Sequence, residues 1–351
     1  MKISEEGIFI DLDIFASSFF MLTRWEEILD EKRDLHGRCK AANSIAEQWG
    51  FLHRPVVDEY ADLLLKCLIH LGYNGPRKKN EFTFLHTHDV DEIEKWKGTG
   101  TLAKTIGADV LKRKSLQLAK KNLKQQKAVK KGTQKDPYDT FDELMDISET
   151  KGVTSHFFFL HQGSSQYDNG YSWDDPVVRK TIQHIKNRGH QFGLHPSYNT
   201  LEKKSLFQKE KNKLEQLTAQ PVTTGRQHYL RFNTPETWQL WEDHGMDWDS
   251  SLYYSEKAGF RCGTCRAYPV FNVSTGKALQ LKELPLTIMD STFFNQIEEG
   301  HSEIVLKEII ELLNRVKQHQ GQFVLLWHTN YLNLNIFARH KQVYLELLRN
   351  L

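Results

Sequence analysis

The sequence predicts an α/β protein, a parallel sheet or deformed (β/α) barrel preceded by a smaller, mainly helical region. Three observations lead there. From residue 81 onward short apolar runs alternate with amphipathic, capped segments, and strands alternating with helices imply a parallel sheet. The apolar runs are nearly continuous, as strands buried on both faces require. Ionisable side chains then crowd the ends of three runs, at His88/Asp89/Asp91, at His195 and at His328. In α/β barrels the strand ends are where remote residues converge on one site.

Taken in order, residues 1–75 read as a mainly helical accessory region. Phe15, Phe19, Leu22 and Leu29 are spaced for one helical face, and RPVVDEYADLLLKCLIHLGY forms a second apolar-striped helix. The turn-rich NGPRKKN separates this region from a second domain over 76–351. There FTFLHT reads as a strand, by aromatic and β-branched content. DTFDELMDISETKG reads as a helix with a capping box, Thr140 with Glu143, stopped by Gly152. VTSHFFFL is the next buried strand. DDPVVRKTIQHIKNRG repeats the helix grammar, with Pro176 in the first turn, a Val178/Ile182/Ile185 stripe and Gly189 as the stop. HQFGLH, MDWDSS and QFVLLWH come next as strands, the last two each behind a helical segment.

With 351 residues, 39% hydrophobic and 26% charged, the chain has ample material for a core and an ordinary globular composition. A net charge of +2 argues against a general nucleic-acid binder. Four scattered cysteines with one lone C-x-x-C (Cys262, Cys265) are expected to be reduced thiols of a cytoplasmic protein, since a structural zinc site needs four ligands. The opening MKISEEGIFIDLDIF carries acids inside its apolar part, unlike a secretory signal. No window approaches 18 uninterrupted apolar residues. The segment from about 98 to 135 reads as a basic helical insertion. Residues 102–135 hold eleven Lys/Arg and one acid, +10, against about −8 for the rest of the chain, with Leu116, Ala119 and Leu123 at helical spacing. A solvated basic helix is one reading. Contact with an anionic membrane surface, peripherally at the inner membrane, or with a lipid-pyrophosphate-linked glycan is the other.

The strand-end residues suggest a division of labour. In Asp-x-Asp one carboxylate can bind a metal while the other works as a base. HPSYN places His195 and Asn199 four apart, so one turn could aim both at an ion. LLWH ends a strand on His328, suited to a general acid.

The order of these motifs resembles the polysaccharide deacetylase family (the NodB-homology group, carbohydrate esterase family 4), in a divergent bacterial branch, over about residues 80–335. The resemblance implies Asp89 as catalytic base and Asp91 as metal ligand in THDVD. GHQFGLHPSYN matches the second motif through Gly189, His190, Gly193 and His195, with Asn199 where the family has a second metal histidine. A neutral amide is a poorer zinc ligand than imidazole, and His228 in GRQHYLRF can supply the missing nitrogen. Arg226 falls where the family orients its base, and His328 where it protonates the leaving amine. His88, Tyr198 and Trp327 are the expected substrate contacts. DSSLYY, CRAYPVF and KELPLTIMD resemble later structural motifs. The resemblance as a whole implies a metal-dependent hydrolase of carbon–nitrogen bonds, with zinc. It would deacetylate an N-acylated sugar, nucleotide- or lipid-linked, in surface-polysaccharide synthesis. A retired deacetylase that binds glycan or a partner without hydrolysis is the rival, favoured by Asn199. An assembly factor docked on the membrane through the basic segment is the third reading.

Overall fold

The computed structural model describes residues 2–4, 7–168 and 170–351. The N-terminal region opens with a hairpin that the sequence did not suggest, β1 (Lys2–Ser4) with β2 (Gly7–Phe9). Helices α1 (Ile14–Leu22), α2 (Trp25–Leu29), α3 (Ile45–Gln48) and α4 (Val56–His70) come after it. Asp13 starts α1 by accepting from the backbone N–H groups of Phe15 and Ala16. The expected apolar stripe does not hold: Phe15 is 69% and Leu29 70% exposed, while Ile14 and Met21 are buried. Arg24, whose left-handed φ of 52° separates α1 from α2, takes Leu29 off the face that carries Phe15. Its guanidinium is buried against Glu27, which also pairs with Arg261. This network ties the N-terminal helices to the stretch of chain around Arg261.

From residue 83 the chain runs β3 (Thr83–Val90), α5 (Thr99–Gly107), α6 (Leu116–Lys130), α7 (Phe141–Thr150), β4 (Ser155–Leu160) and α8 (Pro176–Asn187). It continues through β5 (Gln191–His195), α9 (Lys204–Thr218), β6 (Thr224–Gly225), α10 (Glu236–Asp243) and β7 (Trp248–Asp249). After β8 (Tyr268–Asn272), β9 (Lys277–Glu283) and β10 (Ile288–Met289) come α11 (Phe294–Glu298), α12 (Ser302–Gln318), β11 (Gln322–Leu326) and α13 (Ala338–Arg349). The sheet order is β10-β11-β3-β4-β5-β6-β7-β9-β8, all parallel except the edge pair β8/β9.

The last strand of the chain, β11, lies beside β3, as in a barrel, and the seam falls between the edge strands β8 and β10. The chain itself crosses that seam. Leu284 N–H donates to Asp249 O on β7, and three residues later Thr287 N–H donates to Val324 O on β11. Three residues span at most about 11 Å, so the two ends of the ladder curve towards each other.

Phe157, Phe158 and Phe159 on β4 have no exposed surface, consistent with a strand covered on both sides. The Val178/Ile182/Ile185 stripe of α8 is buried as its spacing requires, each side chain contributing about 1.5–3 kcal/mol. Pro176 occupies the first turn of α8, and Gly152 and Gly189 end their helices at positive φ. The capping box of α7 does not form. Thr140 Oγ1 donates instead to Thr329 O beyond β11 (2.8 Å), and Glu143 pairs with Lys341. Long-range partners outcompete the local cap. All four cysteines are free and buried. Among the described residues no helix is long and apolar enough to cross a membrane.

Candidate active site

Side chains alternate along a strand, and this decides which residues of THDVD meet. On β3, Thr87 and Asp89 face the barrel interior. His86 and His88 face the helical layer, His86 bonding Ser148 and Tyr344, and His88 bonding Trp327 O (2.9 Å) and Ser155. Burial pushes the His88 imidazole down to about 3, so it stays neutral. Trp327, just past β11, packs on Tyr344 of α13 at a ring separation of 4.3 Å. His88 and Trp327 therefore do not reach substrate space, which corrects the expectation from sequence. Tyr198 lies apart from the cavity lining, stacked under Arg231.

The inward residues meet at a cavity of about 350 Å³, lined by Asp89, Asp91, His195, His228 and His328 with Tyr167, Tyr229 and Tyr331 around them. Asp89 is held from behind. Arg226 donates to Asp89 Oδ1 (2.8 Å), to Thr87 Oγ1 (3.0 Å) and to the carbonyl and hydroxyl of Ser250 (2.8 and 3.1 Å). The guanidinium is wholly buried and makes four hydrogen bonds, so it fixes one carboxylate oxygen and leaves Oδ2 towards the cavity. Arg226 can sit there because β6 approaches β5 closely. A Cβ on Gly225 would lie 2.0 Å from Leu194 O, so only glycine fits.

Three potential ligand atoms, from Asp91, His195 and His228, lie within 4.8 Å of one another. His195 Nε2 is 3.5 Å and His228 Nε2 4.0 Å from Asp91 Oδ1. Each imidazole is anchored through its other nitrogen. His195 Nδ1 donates to Arg226 O (2.6 Å), and His228 Nδ1 to Asp168 Oδ1 (3.1 Å), with the tautomers assigned from these acceptors. Both Nε2 lone pairs are thus free to face Asp91 Oδ1, a buried oxygen that accepts no hydrogen bond. Anchored imidazoles converging on an orphaned carboxylate oxygen suit a divalent cation. Burial raises the Asp91 pKa, but His195, His328 and His228 outweigh it and hold the carboxyl well below its usual range.

Asn199 does not join them. After β5 the chain runs extended through Ser197 into a short 3₁₀ turn rather than an α-helix, and the Asn199 amide donates to Ser164 Oγ (3.3 Å). The four-residue spacing therefore does not bring it beside His195. His228 takes that place from a loop with unusual backbone, in which Tyr229 and Leu230 adopt φ of 60° and 53°. Such conformations cost energy for residues with a Cβ. Arg38, from the N-terminal region, donates to Tyr229 O (3.0 Å) and lines the cavity. The 1–75 region is thus part of the site's wall.

His328 lies opposite. Its Nδ1 pairs with Asp290 (2.7 Å) and its Nε2 is 3.8 Å from Asp91 Oδ2. Burial lowers its pKa, but Asp290, Asp91 and Asp89 together push it up to about 9. Sequence reasoning missed Asp168, Asp290, Arg38 and the three tyrosines. Asp290 had a signal, as the acid ending KELPLTIMD. Asp168 had none, sitting in the irregular loop after β4.

The family described as a "family of unknown function (DUF7033)" matches residues 2–73. A search of curated proteins finds no match. Among solved structures, similarity extends to a Mycobacterium smegmatis protein described as a polysaccharide deacetylase, at 15% identity and TM-score 0.47, covering 78% of this chain and 86% of that one. Puue allantoinase is similar at 12% identity and TM-score 0.44, covering 81% and 91%. A Pseudomonas aeruginosa PAO1 protein also described as a polysaccharide deacetylase is similar at 12% and 0.43, covering 80% and 89%. These TM-scores lie under 0.5, too low to carry activity or ligand over to this chain.

Proposed function

We propose that the protein is a metal-dependent hydrolase that removes an acyl group from the nitrogen of an amino sugar. The observation that carries this reading is one cavity in which an arginine-held carboxylate and an aspartate-paired histidine flank a His-His-Asp ligand set. Asp91, His195 and His228 would hold the cation. A divalent ion there supplies Lewis acidity towards a carbonyl and lowers the pKa of water. Asp89, with Oδ1 fixed by Arg226 and Oδ2 open, accepts a proton from water. His328 holds a proton at Nε2, because Asp290 binds Nδ1 and stabilises the cationic ring. Amide nitrogen leaves poorly until it is protonated, which is the role this geometry suits. A cavity of about 350 Å³ falls at the small end of ligand pockets and accommodates one sugar unit, with tyrosines Tyr167, Tyr229 and Tyr331 to border its ring.

The experiment is metal analysis of purified protein and of Asp91→Ala, alongside acyl release from a panel of free, nucleotide-linked and lipid-linked N-acyl amino sugars. Stoichiometric metal lost in the variant, with release by the parent, is the expected result. A metal-loaded parent that releases nothing from any member would instead support a binding protein.

A further inference from the structure

We propose that the basic helical insertion is a docking surface whose partner is an anionic lipid bilayer. All eleven Lys/Arg of residues 102–135 are exposed. Among the described residues only Arg113 and Lys135 of these form ion pairs, with Asp109 and Asp142. Nine positive charges are left facing solvent.

Charge alone would fit a solvated helix, but the apolar residues are placed the wrong way round for one. On α6 the face turned to the protein is polar, with Asn122, Gln125 and Gln126 buried, and of the Leu116/Ala119/Leu123 stripe only Ala119 is covered. Leu116 is 66% exposed. In the π-helical turn before α6, Leu111 is 78% exposed beside Lys112, Arg113 and Lys114. Leucines standing out among lysines is the arrangement of an interfacial helix. There apolar side chains enter the acyl boundary while ammonium groups reach the headgroups.

The surface is braced rather than loose. Asp109, wholly buried, accepts from Arg113 and from Asn122 Nδ2 (2.8 and 2.7 Å), and Asn122 Oδ1 accepts from Asn335 beyond β11. Both ends of the insertion meet where Asp136 accepts from the N–H groups of Lys95 and Trp96. That junction comes just after β3 and the Asp89/Asp91 pair, so the insertion rises from the rim of the barrel that holds the cavity. A bilayer against it would lie on the cavity's side of the molecule.

The test is sedimentation of the full chain with vesicles of phosphatidylcholine alone and with added phosphatidylglycerol, at low and high salt. Binding confined to anionic vesicles and weakened by salt is expected. Lys120→Ala/Lys124→Ala should weaken it by about 25-fold, roughly fivefold for each lysine. Leu111→Asp/Leu116→Asp should weaken it with the lysines intact. Leu111→Cys carrying an environment-sensitive dye, specific because the native cysteines are all buried, should shift to the blue on anionic vesicles. Inorganic phosphate at matched ionic strength should compete poorly. Equal recovery on both vesicle types, indifference to the leucine substitutions, displacement by phosphate, or binding to a soluble polyanion but not to vesicles would each overturn the proposal. None of these readouts involves hydrolysis, so failure here is distinct from failure of the hydrolase reading.

Discussion

Asp168 offers a sharp test of the proposed metal centre, because it touches one proposed ligand and does not line the cavity. Its side chain is fully buried, and it accepts from His228 Nδ1 (3.1 Å), Tyr198 N–H (2.9 Å) and Ser165 N–H (3.3 Å). Asp168→Asn keeps an oxygen for His228 and Tyr198 but loses the negative charge and turns an amide donor towards Ser165 N–H. Asp168→Ala removes both acceptor oxygens and all three hydrogen bonds. Loss of a partner that orients a ligating histidine typically costs about 10–100-fold in metal affinity. The asparagine variant should fall near the lower figure and the alanine variant near the upper. Alanine also strands two part-buried backbone donors, at up to about 1–3 kcal/mol each, so its melting temperature should drop clearly while that of the asparagine variant drops less. The assay is zinc competition against a chromophoric chelator, with melting curves for each protein in metal-free buffer. Two variants that bind zinc as tightly as the parent would refute the assignment of His228 as a ligand oriented by Asp168. A fall in melting temperature without a fall in affinity would assign Asp168 to the fold alone.

The same contacts have other consequences. Asp89→Asn and His328→Ala should each lower turnover on the order of 10²–10⁴-fold with the metal still bound, measured by acyl release beside metal content. Near-parental turnover would remove that residue from the reaction. Arg38→Ala should free the strained Tyr229–Leu230 turn and weaken zinc binding, although Arg38 ligates nothing; unchanged affinity would show that the loop holds its shape unaided. The Arg24–Glu27–Arg261 network predicts an acid sensitivity. Burial raises the Glu27 pKa, yet Arg261 and Arg24 prevail and bring it from 4.5 to about 2. A group with a depressed folded pKa stabilises above its unfolded pKa and loses that contribution as pH falls towards the folded one. About 3 kcal/mol should therefore drain away between pH 4.5 and 2, and Glu27→Gln, which leaves two arginines buried, should destabilise by about 3–5 kcal/mol and flatten the slope in denaturant titrations across that window.

Much of the fold was legible because its signals are local. An apolar run that ends on an ionisable residue marks both a buried strand and its rim, which is how Asp89, Asp91, His195 and His328 could be picked from the sequence. The helix stops at Gly152 and Gly189 and the α8 stripe are local too, set by backbone freedom and a 3.6-residue period. Where the period is two, a neighbour's direction is set by the partner layer, so His88 and Trp327 could not be told from Asp89 and His328 without knowing which side held the helices. The α7 cap failed for a related reason. Thr140 found a partner 189 residues away, and that contact outweighed local preference.

The third proposed ligand was decided only in three dimensions. Spacing favoured Asn199, four residues from His195, but spacing implies proximity only on a helix, and the chain makes none there. His228 reaches the site through a turn that its own residues disfavour, held by Arg38 across 191 positions and by Asp168 across 60. The sequence alone determined which strand ends bring ionisable side chains to the proposed site, because strand burial and residue type are properties of short segments. Which imidazole completes the centre, and what braces it, depended on loops fixed by remote contacts, whose energy appears only once the barrel and the N-terminal region have packed together.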